Sequence, residues 1–253
     1  MKMTNDIPDL KPYPEQVPDK ENPQMDGQLE TMKDIGTLKI PETMDSIHFL
    51  SIIGHIEGHS VSPPNQKSTK YEHIIPQLIA VERNPEIKGM LTILNTMGGD
   101  VEAGLAISEM ISSLSKPTVS LVLGGSHSIG VPLATASDYS FIVQTATMTI
   151  HPIRMTGLVI GVPQTFKYFQ KMQERIIQFI TRNSKVSRDV IIDLMNETDQ
   201  IANDVGTILV GKEAVEIGLI DEVGGLSDAM AKLNQLIEDN SKIPNEVSNP
   251  IKN

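Results

Sequence analysis

A serine between small residues, a histidine at a strand end and two glycine pairs are the positions in this chain best suited to covalent chemistry. In Gly124-Gly125-Ser126-His127-Ser128-Ile129-Gly130, Ser128 falls where the apolar run Thr118–Leu123 turns into a helical stretch reaching Ala136. Small neighbours let backbone and substrate approach closely, and the first N–H groups of a helix lack intrahelical partners. The arrangement has the logic of a nucleophile elbow, although its spacing is not G-x-S-x-G. Gly98-Gly99 follows another apolar run, Met90–Leu94. N–H groups of Gly99 and Ile129 are therefore candidate donors to an oxyanion. His151 ends the run Thr147–Ile150 and precedes Pro152. Histidine is the natural general base, because it titrates near working pH. If its strand lies beside the one leading to Ser128, both side chains emerge at the carboxyl edge of a parallel sheet, where ligands bind. Taken alone, the Ser128 segment is more often an ordinary turn and a lone histidine after a strand more often structural, while Gly98-Gly99 reads equally well as a turn that needs unusual φ. Together they describe acyl transfer by a Ser128 nucleophile, a His151 base and a backbone oxyanion hole.

The elements that must hold these residues alternate. Ile47–Ile56 reads as a strand, residues 60–69 as a loop broken by Pro63 and Pro64, and Tyr71–Val81 as a helix. Met90–Leu94 is a second strand, ending in a turn over Asn95–Asp100. Asp100 then caps a helix carrying Val101, Leu105, Met110, Ile111 and Leu114. Strands are expected at Thr118–Leu123, Tyr139–Val143, Thr147–His151, Thr207–Val210 and Leu219–Val223. Residues 163–182 form a long amphipathic helix opened by Pro163. Ser187 caps a helix to about Glu197, and Lys212–Ile217 is another. This order predicts an α/β fold with a parallel sheet joined by right-handed crossovers. Residues 41–240 form the domain. Residues 1–40, with five prolines and many charges, are expected to be a disordered tail, and 241–253 a second tail.

Composition narrows the function. The 253 residues carry 21 Lys plus Arg against 32 Asp plus Glu, a net charge of −11, which disfavours nucleic-acid binding through bulk charge. No cysteine is present, so disulfides, thiolate metal sites and Cys nucleophiles drop out. No metal or cofactor is implied. The polar, proline-rich start is not a signal peptide, and no apolar run nears the ~20 residues of a membrane span. A cytoplasmic protein without an integral membrane segment is expected.

Four segments in order resemble the ClpP peptidase family of the ClpP/crotonase superfamily. LTILNTMGGDVEAGLAI is similar to the family's INSPGGSVTAGMAI motif. GGSHSIG is similar to G-x-A-A-S-M-G, whose serine falls on Ser128. ATMTIHPI is similar to MIHQP, whose histidine falls on His151, and EAVEIGLIDEV to EAVEYGLVD. The resemblance covers about residues 45–225. The long tail and divergent motifs are similar to the ClpP-like translocation-enhancing proteins of spore-forming bacteria. The resemblance implies a repeated β-β-α superhelical fold with a protruding handle helix, here about 163–182. It also implies a serine endopeptidase acting on proteins or peptides inside a homo-oligomeric chamber of single or stacked rings. An ATPase unfoldase is a further implied partner.

The resemblance breaks at the third catalytic member. Ungapped alignment back from Glu213-Ala214 places Gly206 where the family has an aspartate; Asp204 and Asp199 lie nearby in sequence. Asp204 is the candidate to orient the imidazole, against a reading as a solvated loop acid. The stretch from Asp204 to Gly225 is also similar to a segment of signal-peptide peptidase A, a Ser–Lys enzyme, but no lysine falls on a matching motif. His127 replaces an alanine of the nucleophile motif, and is read as a pocket or helix-start residue. Gly98 and Gly125 join Gly99 and Ile129 as expected substrate-binding or oxyanion-hole positions. Two other readings compete: a non-catalytic ClpP-like scaffold assisting protein translocation or quality control, and an acyl-CoA enzyme of the crotonase branch. The Ser128/His151 pairing speaks against the latter.

Overall fold

The structure is a computed structural model describing residues 46–154, 160–199 and 205–242. The two expected tails, apart from the last helical residues, lie outside that range, as does Asp204. Strand β1 (Ile47–Glu57) pairs in parallel with β2 (Ser68–Lys70) on one side and β3 (Gly89–Gly99) on the other. Next come β4 (Thr118–Ser126), β5 (Tyr139–Ile142) and β8 (Glu222–Val223), all parallel, giving the order β2-β1-β3-β4-β5-β8. From β1 to β5 the sheet grows mostly in one direction, one crossover at a time. A short second ladder leaves it at the site: β6 (Thr147–Ile150) is parallel to β4 at Gly125↔Thr147 and antiparallel to β7 (Thr207–Val210).

Both faces of the sheet are covered. Helices α1 (Tyr71–Arg83), α2 (Val101–Ser112) and α3 (Gly130–Thr135) belong to the larger core with Leu50, Ile52, Met90, Leu94 and Val122. The alternate residues Leu91, Val119, Leu121 and Phe141 point the other way, onto Ala229 and Leu233 of α7 (Leu226–Lys242). Near-continuous apolar strands are what a sheet buried on both faces requires. Helix α4 (Val162–Arg182) buries Met172, Ile176, Ile177, Phe179 and Ile180 in its second half only. Its first half carries Phe166 and Tyr168 exposed, at 62% and 53%. The isoleucine row of the expected handle helix is therefore core, and the early aromatics are surface. Helices α5 (Arg188–Asn196), capped by Ser187 accepting from the Val190 N–H, and α6 (Lys212–Glu216) complete the domain. No helix among the described residues is long and apolar enough to cross a membrane.

Four local expectations are corrected. Asn95–Gly99 is not a turn. It continues β3, paired with β1 as far as Ile56↔Gly99, after a register shift at Gly54/His55. Thr96 makes this possible: its Oγ1 donates to the Gly54 carbonyl (2.6 Å) and accepts from the Gly98 N–H (3.0 Å). Within the expected 60–69 loop, Ser68 and Thr69 begin β2, held by Thr69 Oγ1 on the Ile53 carbonyl (2.9 Å). The strand expected over Leu219–Val223 shrinks to Glu222–Val223. The Leu219 and Ile220 N–H groups instead both donate to the Ala214 carbonyl, closing the end of α6. Helix α7, not anticipated as an element, runs through Ser241 and Lys242.

Candidate active site

Strands β3, β4 and β6 end together, and their last residues make the site. Between Leu94↔Val122 and Thr96↔Ser126, two steps of β3 face four of β4. Leu123, Gly124 and Gly125 of β4 thus stand opposite Asn95 alone, a surplus of two residues, and a bulge of this kind redirects the strand. Asn95 fills the space: its Oδ1 accepts from the Gly125 N–H (3.1 Å), and its side chain lies where a Cβ on Gly124 would sit. Gly125 has a second neighbour, since a Cβ there would collide with the His127 ring.

Beyond the bulge the chain turns sharply. His127 donates its N–H to the Thr96 carbonyl (3.1 Å), and Ser128 donates its N–H to the Thr149 carbonyl (2.8 Å). The Gly130 and Val131 N–H groups close back onto the His127 and Ser128 carbonyls (2.8 and 3.0 Å). Ser128 has φ +56°, the one non-glycine residue with positive φ among the described residues. An L-residue enters this region at a cost and stays there only where its surroundings over-determine it. Such outliers cluster at functional positions. The turn thus fits a nucleophile elbow, with Ser128 two residues before α3 rather than inside the expected helix.

Gly98 lies against this turn. A Cβ built on it would be 2.7 Å from the His127 carbonyl oxygen, 2.8 Å from Ser128 Cβ and 3.4 Å from the Ile129 nitrogen. Its φ of +86° also favours glycine. The Gly98 N–H is committed to Thr96 Oγ1. Gly99 is pressed on β1, where a Cβ would collide with the Ile56 backbone. Of the expected oxyanion positions, Gly98 and Ile129 meet beside Ser128, while Gly99, the next residue, packs on Ile56 of β1, and Gly125 serves as room for a histidine ring.

His151 follows β6 directly. The hydrogen bond from Ser128 to Thr149 puts the serine two residues from it along the chain. Its Nδ1 is 2.6 Å from the Pro152 carbonyl oxygen. A carbonyl only accepts, so Nδ1 donates here, and in the neutral imidazole Nε2 is then the basic nitrogen. On the other side, Gly206 packs against it: a Cβ at 206 would be 2.5 Å from the Ile150 oxygen and 2.7 Å from His151 Cβ. The position the aspartate would occupy by alignment lies against the Cα and Cβ of His151, where the Ile150 carbonyl leaves no room for a side chain. His127 Nδ1 bonds Thr149 Oγ1 at 2.8 Å. Burial, and secondarily the charge on His151, hold the His127 pKa below the ordinary histidine value. Thr149, Thr96 and Asn95 were not anticipated. Only Thr149 carried a signal, since i and i+2 share a strand face and place it with His151. No group of three or more His, Asp or Glu residues is placed to hold a metal among the described residues.

Comparison with known proteins agrees with this frame. The Clp protease family profile matches residues 57–226, from the end of β1 to the start of α7. The chain belongs to the Clp protease family, with its mixed α/β, ClpP/crotonase-like fold. It is 58% identical over 213 residues to the translocation-enhancing protein TepA of Halalkalibacterium halodurans, covering 84% of this chain and 83% of that one. It is 29% identical over 157 residues to the ATP-dependent Clp protease proteolytic subunit of Lactococcus lactis subsp. cremoris, covering 59% and 74%. A similarly named subunit 1 of Chlamydia muridarum is 26% identical over 167 residues, covering 64% and 82%.

Proposed function

We propose that this chain is a serine endopeptidase in which Ser128 is the nucleophile and His151 its base. The observation that carries the reading is the αL backbone of Ser128, at the sheet edge where β6 delivers His151. His151 Nε2 takes the hydroxyl proton as Oγ attacks the peptide carbonyl, forming a tetrahedral adduct. N–H groups of Gly99 and Ile129 receive the oxyanion. The imidazolium returns its proton to the departing amine, and water, deprotonated in turn by His151, releases the acyl group. The Pro152 carbonyl supports this by holding Nδ1–H, which keeps Nε2 as the basic nitrogen. Asp204 completes the proposal as the residue that orients the imidazole. The exposed Val162 and Phe166, four residues apart on one helix face, favour assembly into a homo-oligomeric chamber, since exposed apolar residues that share a face mark contact surfaces.

A fluorophosphonate probe followed by peptide mapping tests this directly. The wild type is expected to be labelled at Ser128 and to cleave casein, and Ser128→Ala to do neither. Equal casein cleavage by wild type and Ser128→Ala would overturn the reading.

A second reading, a ClpP-like scaffold that assists translocation without hydrolysis, is favoured by the name of the 58% identical relative and by backbone at Gly206 beside His151. It requires Ser128→Ala to retain full function in cells, whereas the peptidase reading requires its loss.

A further inference from the structure

His127 lies beside the nucleophile, and the proposed reaction assigns it no task. Its surroundings are built around it. Gly125 lacks the Cβ that would collide with the ring. The His127 N–H is fixed to β3 through the Thr96 carbonyl, while the ring reaches the opposite way to Thr149 Oγ1 on β6. Thr149 thus holds two successive residues of one turn: its hydroxyl meets the His127 ring, and its carbonyl takes the Ser128 N–H, each at 2.8 Å. Ser128 itself sits at φ +56°, a conformation that relaxes unless its neighbours prevent it. Ser126 Oγ also ties the turn at the Gly130 carbonyl (2.6 Å), but without the ring bond His127 and Ser128 are held through their backbone N–H and carbonyl groups, which bond equally well over a range of dihedral angles.

We propose that His127 is a positioning residue, whose ring, clamped on Thr149, locks the strained nucleophile turn to the strand that delivers His151. The clamp fixes the distance between Ser128 Oγ and the imidazole rather than touching substrate. This role rests on the serine-peptidase reading. It makes a stereochemical prediction about replacements. Asparagine can place a polar atom near the position of Nδ1, whereas glutamine reaches toward the position of Nε2, which lies over Gly125 and away from Thr149.

The experiment measures fluorophosphonate labelling rate and peptide cleavage for full-length wild type, His127→Ala, His127→Asn, His127→Gln and Thr149→Val, each checked for its melting temperature. Loss of one hydrogen bond in the reacting geometry predicts about a ten-fold fall in kcat for His127→Ala and Thr149→Val. KM should be unchanged, because no substrate contact is lost. His127→Asn should recover most of the rate and His127→Gln should not. The double variant His127→Ala/Thr149→Val should be no slower than either single one, as expected for partners in one interaction. Labelling of His127→Ala as fast as wild type, additive losses in the double variant, or equal rescue by Asn and Gln would each overturn the clamp while leaving the peptidase reading in place. If His127→Ala fails to fold, Thr149→Val against Thr149→Ser tests the same bond: the serine should retain the rate, and equal rates would refute the clamp. No labelling of the wild type removes both readings.

Discussion

Replacing Ser128 by glycine should make the protein more stable than replacing it by alanine, although both changes remove the proposed nucleophile. The backbone bonds at this position are the N–H donated to Thr149 and the carbonyl accepting from Val131, and both substitutions keep them. The comparison therefore isolates the dihedral. Holding an L-residue at φ +56° costs about 1–2 kcal/mol, a cost glycine escapes. Glycine gives back about 0.4–1 kcal/mol through the greater freedom of its unfolded chain. The net advantage is between about 0 and 1.6 kcal/mol, with a central value of about 0.8, or about 2 °C in melting temperature for a domain of this size. Differential scanning calorimetry of Ser128→Gly and Ser128→Ala at one protein concentration measures it; the concentration matters because association shifts apparent stability. A glycine variant melting at or below the alanine variant would show that Ser128 stores no strain, and the elbow argument would lose its main support.

Other outcomes follow from the same geometry. Gly206→Asp, which supplies the aspartate of the aligned motif, should destabilise by more than about 1 kcal/mol and not raise the labelling rate, because its Cβ overlaps the Ile150 carbonyl and His151 Cβ; thermal melting and probe labelling check both. Asp100→Ala removes the cap on the Ala103 N–H (2.9 Å) and should cost about 1 kcal/mol, read as a lower urea midpoint with unchanged slope. Burial lowers the pKa of His48 and of His127. The unfolded chain then binds more protons than the folded one below about pH 6.5, so stability should fall as pH drops from 6.5. A melting temperature flat between pH 7 and 5.5, or an unchanged drop in the His48→Asn/His127→Asn variant, would contradict those environments.

Much of this was readable in the chain. Asp100 and Ser187 are caps because short polar side chains before apolar periodicity satisfy helix N–H groups, and both hold the bonds expected of them. The order of the four motifs anticipated the family, and the run ending at His151 anticipated the strand beside Ser128. What stayed hidden depends on partners distant in sequence. Gly98-Gly99 looks like a turn locally, but Thr96 and β1 keep it in the sheet. Helix α7 carries a clear apolar period at Leu226, Ala229, Met230, Leu233 and Ile237 that could have marked it as a helix, but that Ala229 and Leu233 meet Leu91, Val119 and Leu121 on the second face of the sheet is not visible in any local window. Asn95 reads as a turn residue and Thr149 as an ordinary polar strand residue, and their hydrogen bonds cross 30 and 22 positions of sequence.

The contact of Gly206 with His151 also bears on how this branch of the family can change over time. An aspartate cannot arrive there by a single codon change without a clash, so the backbone on either side would have to shift first. That shift would bring no catalytic gain until the acid was in place. Any improvement of the imidazole's support then has to come from other positions.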